Sequence, residues 1–293
     1  MRYGLPYMGS KNDLAKRIVD ILPAADTLVD LFAGGCAITH AALLSGKWKR
    51  IIANDITDAP QLFLDAIHGK YRDCDRWVSR EEFYMLKDKD AFVRLCWSFG
   101  NNQSNYIYSR KFEPYKKAIH GCVFGKNIRS RYLSYRRAIC LLPDLLKLYS
   151  IHAIKNLQSL QSLERLERLQ SLESLERLQS LERLEILQKD YKEIHPPPEG
   201  AIIYCDPPYR GTAGYLHDFD HAAFDAWCLK QTVPLFVSEY SFPHGECIAE
   251  WQRAGSLSAV GINQTTERLY ALNWSKPKGV LMKQMELFAE DTK

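Results

Sequence analysis

Residues Ala201 to Cys205 read AIIYC, a run of apolar and aromatic residues that leads directly into Asp206-Pro207-Pro208-Tyr209. A run this short, closed by prolines, is a buried strand. Its end falls at the carboxyl edge of a sheet, where open α/β folds bind their ligands. The prolines fix φ and remove two backbone donors, so the carbonyls of the loop can only accept hydrogen bonds. An acid and bare carbonyls beside an aromatic face suit a planar ring that carries an amino group. Pro-Pro alone is more often an ordinary turn. The whole tetrad behind a buried strand points to a site.

The tetrad resembles the Asp-Pro-Pro-Tyr motif of amino-group methyltransferases that use S-adenosylmethionine, with Asp206, Pro207, Pro208 and Tyr209 in the catalytic positions. Other stretches agree in kind and in order. Thr27 to Ala33 (TLVDLFA) is a second buried strand, and Gly34-Gly35 turns it into a helix from Ala37 to Leu44. A glycine turn lets a ligand approach the backbone, and a helix N-terminus offers free amides. Asp30-Leu31-Phe32-Ala33-Gly34-Gly35 resembles the family's cofactor loop, which assigns Asp30, Phe32 and Gly34 to the cofactor. Arg50 to Ala53 is a third strand, and Asp55 lies about twenty residues beyond the glycines, the distance at which an acid accepts ribose hydroxyls. Nicotinamide enzymes share that acid, so Asp55 by itself says only adenosyl cofactor. The tetrad decides between them.

Near the start, Tyr7 and Lys11 precede a helical pattern of Leu14, Ile18, Val19 and Leu22. They resemble the family's aromatic-then-lysine motif, which implies cofactor contact, with the lysine near the cofactor carboxylate. Asp190-Tyr191 resembles an acid-aromatic pair that family members carry near the adenine of the cofactor. Gly211 to Gly214 reads as a mobile loop beyond the tetrad. Pro234 to Ser238 is a further buried strand, and Glu267 to Trp274 with Gly279 to Lys283 resembles the closing antiparallel hairpin of the fold.

From Ala59 to about Leu148 the sheet pattern is lost. Between Asn101 and Arg137, Arg110, Lys111, Lys116, Lys117, Lys126, Arg129, Arg131, Arg136 and Arg137 gather against a single acid, Glu113. Tyr106, Tyr108, Phe112, Tyr115, Phe124, Tyr132 and Tyr135 are interleaved with them. Basic residues give phosphate contact and aromatics give stacking faces. A solvated basic face over a local aromatic core would show the same composition. The amides Asn101, Asn102, Gln103 and Asn105 tilt the reading toward DNA, because amides read adenine edges. The net charge of +4 is too mild to carry that reading, so the placement of the charge has to.

Leu157 to Leu187 places leucine at every third position. On a helix each leucine lags the last by about 60°, so about six of them circle the axis and no apolar stripe forms. A strand fails too, since this period throws leucines onto both faces. A leucine-repeat solenoid fits the spacing, but Glu, Gln, Arg and Leu favour helix. The segment reads as helix and as an expansion without chemistry, and Leu184 to Gln188 at its end reads as a strand end.

The eight cysteines stand singly, which implies reduced thiols and neither a zinc site nor a redox pair. No apolar run approaches membrane-spanning length, and a cytoplasmic protein without a metal is expected. Together the motifs resemble Dam-type, alpha-group DNA adenine-N6 methyltransferases. That implies an α/β, doubly wound Rossmann-like methyltransferase sheet with an inserted, mainly helical target-recognition domain. The cofactor half is expected at 1–58, the target-recognition insert at 59–150, the leucine repeat at 151–188, and the tetrad half with its tail at 189–293. The expected reaction moves a methyl group from S-adenosylmethionine to adenine N6 in double-stranded DNA, after base flipping into the tetrad pocket. The alternatives are a cytosine-N4 or RNA adenine methyltransferase, and a catalytically silent DNA-binding protein on the same scaffold. The terminal segment Gln284, Met285, Glu286, Leu287, Phe288 resembles a peptide that docks on the bacterial sliding clamp; a strand tucked into the protein's own core is the competing reading.

Overall fold

The computed structural model describes residues 2–148, 161–172, 175, 179–195, 199–210, 219–258 and 261–274. Seven strands form one sheet: β1 (Ala25–Asp30), β2 (Trp48–Asp55), β3 (Leu184–Gln188), β4 (Ala201–Cys205), β5 (Leu235–Glu239), β6 (Glu246–Ser258) and β7 (Gly261–Leu272). Their spatial order is β3-β2-β1-β4-β5-β7-β6. The first five run parallel, and β7 is antiparallel to both β5 and β6. This is the α/β sheet the sequence implies, with the tetrad strand β4 beside β1 at the centre.

Alternation along each strand divides the core between the two faces of the sheet. Leu28, Ile51, Ala53, Ile202, Tyr204 and Phe236 belong to one buried cluster. Val29, Ile52, Ile203, Cys205, Leu235 and Val237 belong to the other. Burial on both faces explains why β4 and β5 read as continuous apolar runs. The first face is covered in part by α1 (Ala15–Ile21) and α2 (Ala37–Ser45), which pack on one another.

Between β2 and β3 lie α3 (Ala59–Ile67), α4 (Arg80–Leu86), α5 (Ala91–Cys96), α6 (Glu113–Phe124), α7 (Ile128–Leu148) and α8 (Gln161–Leu172). The chain between β4 and β5 carries α9 (His221–Leu229). The helices between β2 and β3 occupy the region expected to be mainly helical. However, α3 packs on β2 and β3 as well as on α5 and α8, so it joins the sheet to the helices that follow. As the sequence of Leu184 to Gln188 implies, β3 is a strand, and it forms an edge of the sheet.

Two readings of the sequence need correction. Among the described residues the strand at Glu267 has antiparallel partners on both sides that precede it in the chain, β5 and β6, with Trp251 opposite Glu267 in the β6–β7 hairpin. Glu246 to Ser258 alternates too weakly to announce a strand, and long pairing with β7 supplies what its own pattern lacks. The leucine repeat does make a buried face. Leu166, Leu169 and Leu172 are all within 1% of full burial, because a helix of 12 residues ends before the drift carries its leucines round the axis. The exposed side of the same helix carries Glu164, Glu167 and Ser171. Gly211 to Gly214, Gly279 to Lys283 and Gln284 to Phe288 lie outside the described residues.

Candidate active site

The chain leaves β1 toward β2 on one side, and β4 lies on the other. Their carboxyl ends are therefore adjacent at the point where the strand order reverses, the usual ligand crevice of such sheets. Asp30 of β1 pairs in register with Tyr204 of β4, and Asp206 follows two residues later. A cavity of about 360 Å³ opens over these ends. Tyr7, Lys11, Asp30, Phe32, Gly34, Asp55, Asp190 and the tetrad all line it, so folding brings together every residue assigned to catalysis or cofactor.

Local bonding decides what each can do. Asp30 is 1% exposed, and its Oδ2 accepts from Thr39 N at 3.1 Å and Thr39 Oγ1 at 2.6 Å. Those bonds fasten α2 to β1. Burial pushes the Asp30 carboxyl up to about 7, against the lowering effect of Thr39. Asp55 accepts from Gly34 N at 2.8 Å through Oδ2, and from Thr57 N and Oγ1 at 2.9 and 2.7 Å through Oδ1. These bonds use three of the roughly four acceptor positions of a carboxylate. Burial also raises the Asp55 pKa.

The glycine turn is shaped by its neighbours. A Cβ on Gly34 would stand 2.9 Å from the Tyr7 ring, and one on Gly35 would stand 2.6 Å from Tyr7 Cβ. Gly34 also has φ +48°, which L side chains rarely adopt. Tyr7 therefore lies directly on the turn. On the other wall Phe32 packs against Tyr191 at 5.4 Å, and Asp190 caps the short 3₁₀ turn there by accepting from Lys192 N.

The tetrad is bound into a charged cluster. Lys11 Nζ lies 2.7 Å from Asp206 Oδ1 and 3.4 Å from a Glu267 oxygen, and stands 4.6 Å from the centre of the Tyr209 ring. Tyr209 Oη donates to Glu267 Oε1 at 3.3 Å. Burial raises the Asp206 pKa and the Lys11 charge opposes that rise. The Tyr209 ring is buried and meets Tyr240 edge-on at 4.7 Å. The Lys11 ammonium is thus engaged with the tetrad acid and with Glu267, a residue the sequence reading missed. A signal for Glu267 exists in the alternation of β7: it stands on the same side as Leu269 and Ala271, where an acid is out of place.

A family described as D12 class N6 adenine-specific DNA methyltransferase matches residues 7–226. The chain belongs to that family. This methyltransferase is therefore an adenine-specific DNA-modifying enzyme of a family that uses S-adenosylmethionine. No curated protein matches it significantly. Similar solved structures include the rRNA methyltransferase aviRa from Streptomyces viridochromogenes, 14% identical over 89% of this chain and 84% of that chain, with a TM-score of 0.34.

The basic residues of the methyltransferase separate on folding. Arg110, Lys111, Lys117, Lys126, Arg129, Arg131, Arg136 and Arg137 are exposed around α6 and α7. Lys116 is not: it is 4% exposed near the Tyr108 ring, and burial lowers its pKa to about 8. Lys116 is withdrawn from the expected DNA face for that reason. The aromatics divide in the same way. Tyr106 and Tyr108 are buried with their hydroxyls bonded to Val78 O and Ser162 Oγ, whereas Tyr132 and Tyr135 are more than half exposed. Of the amides, Asn102 and Gln103 line the cavity itself. Among the described residues no cluster of acid, histidine and cysteine side chains suits a metal, and no helix is long and apolar enough to cross a membrane.

Proposed function

We propose that this enzyme is of the Dam type and methylates an adenine that is flipped out of the duplex into the tetrad end of the cavity. The single observation that carries the reading is the shared cavity: the Gly34-Gly35 turn and Asp206 open onto it from adjacent strand ends. Its residues fit S-adenosylmethionine. A glycine cradle that a Cβ would fill, an acid with one acceptor position left, and an aromatic wall make a nucleoside-sized subsite. Tyr7, Phe32, Gly34, Asp55, Asp190 and Tyr191 would hold the cofactor, and Asp30 keeps α2 in place beneath it. Bound there, S-adenosylmethionine would supply a methyl group on a sulfonium, whose sulfur leaves as a neutral thioether.

The chain supplies position and charge. Asp206 and the Pro207 carbonyl would accept the two hydrogens of the adenine amino group, drawing its lone pair out of the ring and toward the reacting carbon. Lys11 holds the Asp206 carboxylate in place, and its charge opposes the rise that burial imposes on the Asp206 pKa. The amine proton is lost after nitrogen is alkylated and becomes acidic, so no strong base is required. Flipping costs a few kcal/mol, which contacts of the exposed α6–α7 arginines with phosphates would offset.

Asp206→Ala tests this. Methylated adenine in DNA treated with the purified variant should fall below detection, while DNA binding stays within a few-fold of the unmodified enzyme. Near-normal turnover would refute the role of Asp206.

A further inference from the structure

The period-three leucine repeat is the part of the chain that chemistry passed over, yet two of its arginines bind segments that run on into the cavity lining. On α8, Arg168 Nε donates to Gly4 O at 2.8 Å and its Nη2 donates to Tyr3 O. Arg165 Nη1 donates to Cys96 O at 2.9 Å and to Ser98 O at 2.7 Å. The two stand three positions apart, so they share a face of the helix. Leu166, Leu169 and Leu172, buried against the core, hold that helix in place. Each arginine therefore binds carbonyls of a segment that lines the cavity farther along.

The segment held by Arg168 is the one that carries Tyr7 and Lys11. It lies against the cofactor turn: Leu5 N donates to Gly35 O at 2.6 Å, and Gly4 N donates to His40 Nδ1 at 3.0 Å. A Cβ on Gly4 would come within 2.2 Å of Gly35 O, so the two backbones touch. Burial, with a contribution from Arg168, lowers the His40 pKa to about 4 and keeps the ring neutral, as its acceptor role requires. The segment held by Arg165 leads into Gly100, Asn101 and Gln103, all at positive φ, and into the cavity-lining amides of Asn102 and Gln103. A backbone in that conformation persists only where its surroundings hold it.

We infer that Arg168 and Arg165 are positioning residues of the active site: the repeat helix clamps two of the segments that line the cofactor cavity. Without Arg168, the Tyr3–Lys11 segment loses its outer attachment, and Tyr7 and Lys11 lose their fixed distance from the Gly34 turn and from Asp206. The clamp rests on the reading of the cavity as an S-adenosylmethionine site, so it needs a measurement that does not involve the cofactor.

Arg168→Met keeps the aliphatic stem and removes the donors. Amide hydrogen exchange of Gly4 and Leu5 should be on the order of tenfold faster in this variant, with exchange in β1 and β4 unchanged. Calorimetric titration should show S-adenosylmethionine binding weakened by a similar factor, on the order of the loss of a charged hydrogen bond. Arg168→Lys, which can reach one carbonyl but not both, should fall between the two on each measurement; it serves alone if Arg168→Met does not fold. Unchanged exchange at Gly4 and Leu5 overturns the clamp. Faster exchange with unchanged cofactor affinity overturns it as well. If the unmodified enzyme itself does not bind S-adenosylmethionine, the reading of the cavity fails, and the exchange measurement alone decides the clamp.

Discussion

Replacing Lys11 with methionine removes the ammonium that stands between Asp206 and Glu267 and leaves its aliphatic stem in place. Lys11 is 4% exposed, Glu267 is 5% exposed and Asp206 is 17% exposed at their side chains. Unit charges about 4 Å apart attract by about 4 kcal/mol at an effective dielectric of 20. Breaking a buried pair by removing one partner costs about 3–5 kcal/mol, and the partial exposure of Asp206 places this case near the lower end. A loss of about 3 kcal/mol lowers the melting temperature by roughly 5 °C in a chain of 293 residues. The sign of its pH dependence follows from Asp206. Burial already raises its pKa, and without Lys11 nothing equal opposes that rise. The folded variant then binds a proton more tightly than the unfolded chain, so stability falls as pH rises. The destabilisation relative to the unmodified enzyme is largest at neutral pH and shrinks toward about pH 4, where unfolded carboxylates titrate. Melting curves of both proteins between pH 4 and 8 measure it. A loss below 1 kcal/mol at neutral pH, or one that grows on acidification, would refute the argument. Adding Asp206→Asn to Lys11→Met should recover part of the loss, because the uncompensated charge is then gone.

Asp55→Asn should weaken S-adenosylmethionine about tenfold, since a charged acceptor contributes about 1.5–3 kcal/mol per hydrogen bond; an unchanged affinity by calorimetry would dismiss the ribose role. Changing Arg129, Arg136 and Arg137 to glutamine should lower the slope of log affinity against log salt by up to about 3 while cofactor binding stays the same. An untouched slope would place the DNA surface elsewhere.

The sequence by itself determined the parts of this enzyme whose signal lies within a few neighbouring residues. Apolar runs ending in an acid announced β1, β2 and β4, and Gly34-Gly35 and the Asp206–Tyr209 tetrad announced the two halves of the cavity. These were legible because a strand, a tight turn and a stiff loop are each dictated by local sterics and burial. The tertiary structure alone decided which charges meet. Glu267 reaches Lys11 from the far end of the chain, and only the antiparallel insertion of β7 beside β5 puts it there. Lys116 carries the same charge as its exposed neighbours, and the packing around Tyr108 removes it from the surface. The repeat shows the division most sharply. Its period argued against an apolar face because that argument assumed a long helix, whereas the described helix is 12 residues. The length of a helix, and so the arc its leucines cover, is set by what it packs against. That packing turns Arg165 and Arg168 toward backbone carbonyls more than sixty residues away in sequence, a relation that no spacing within the repeat can encode.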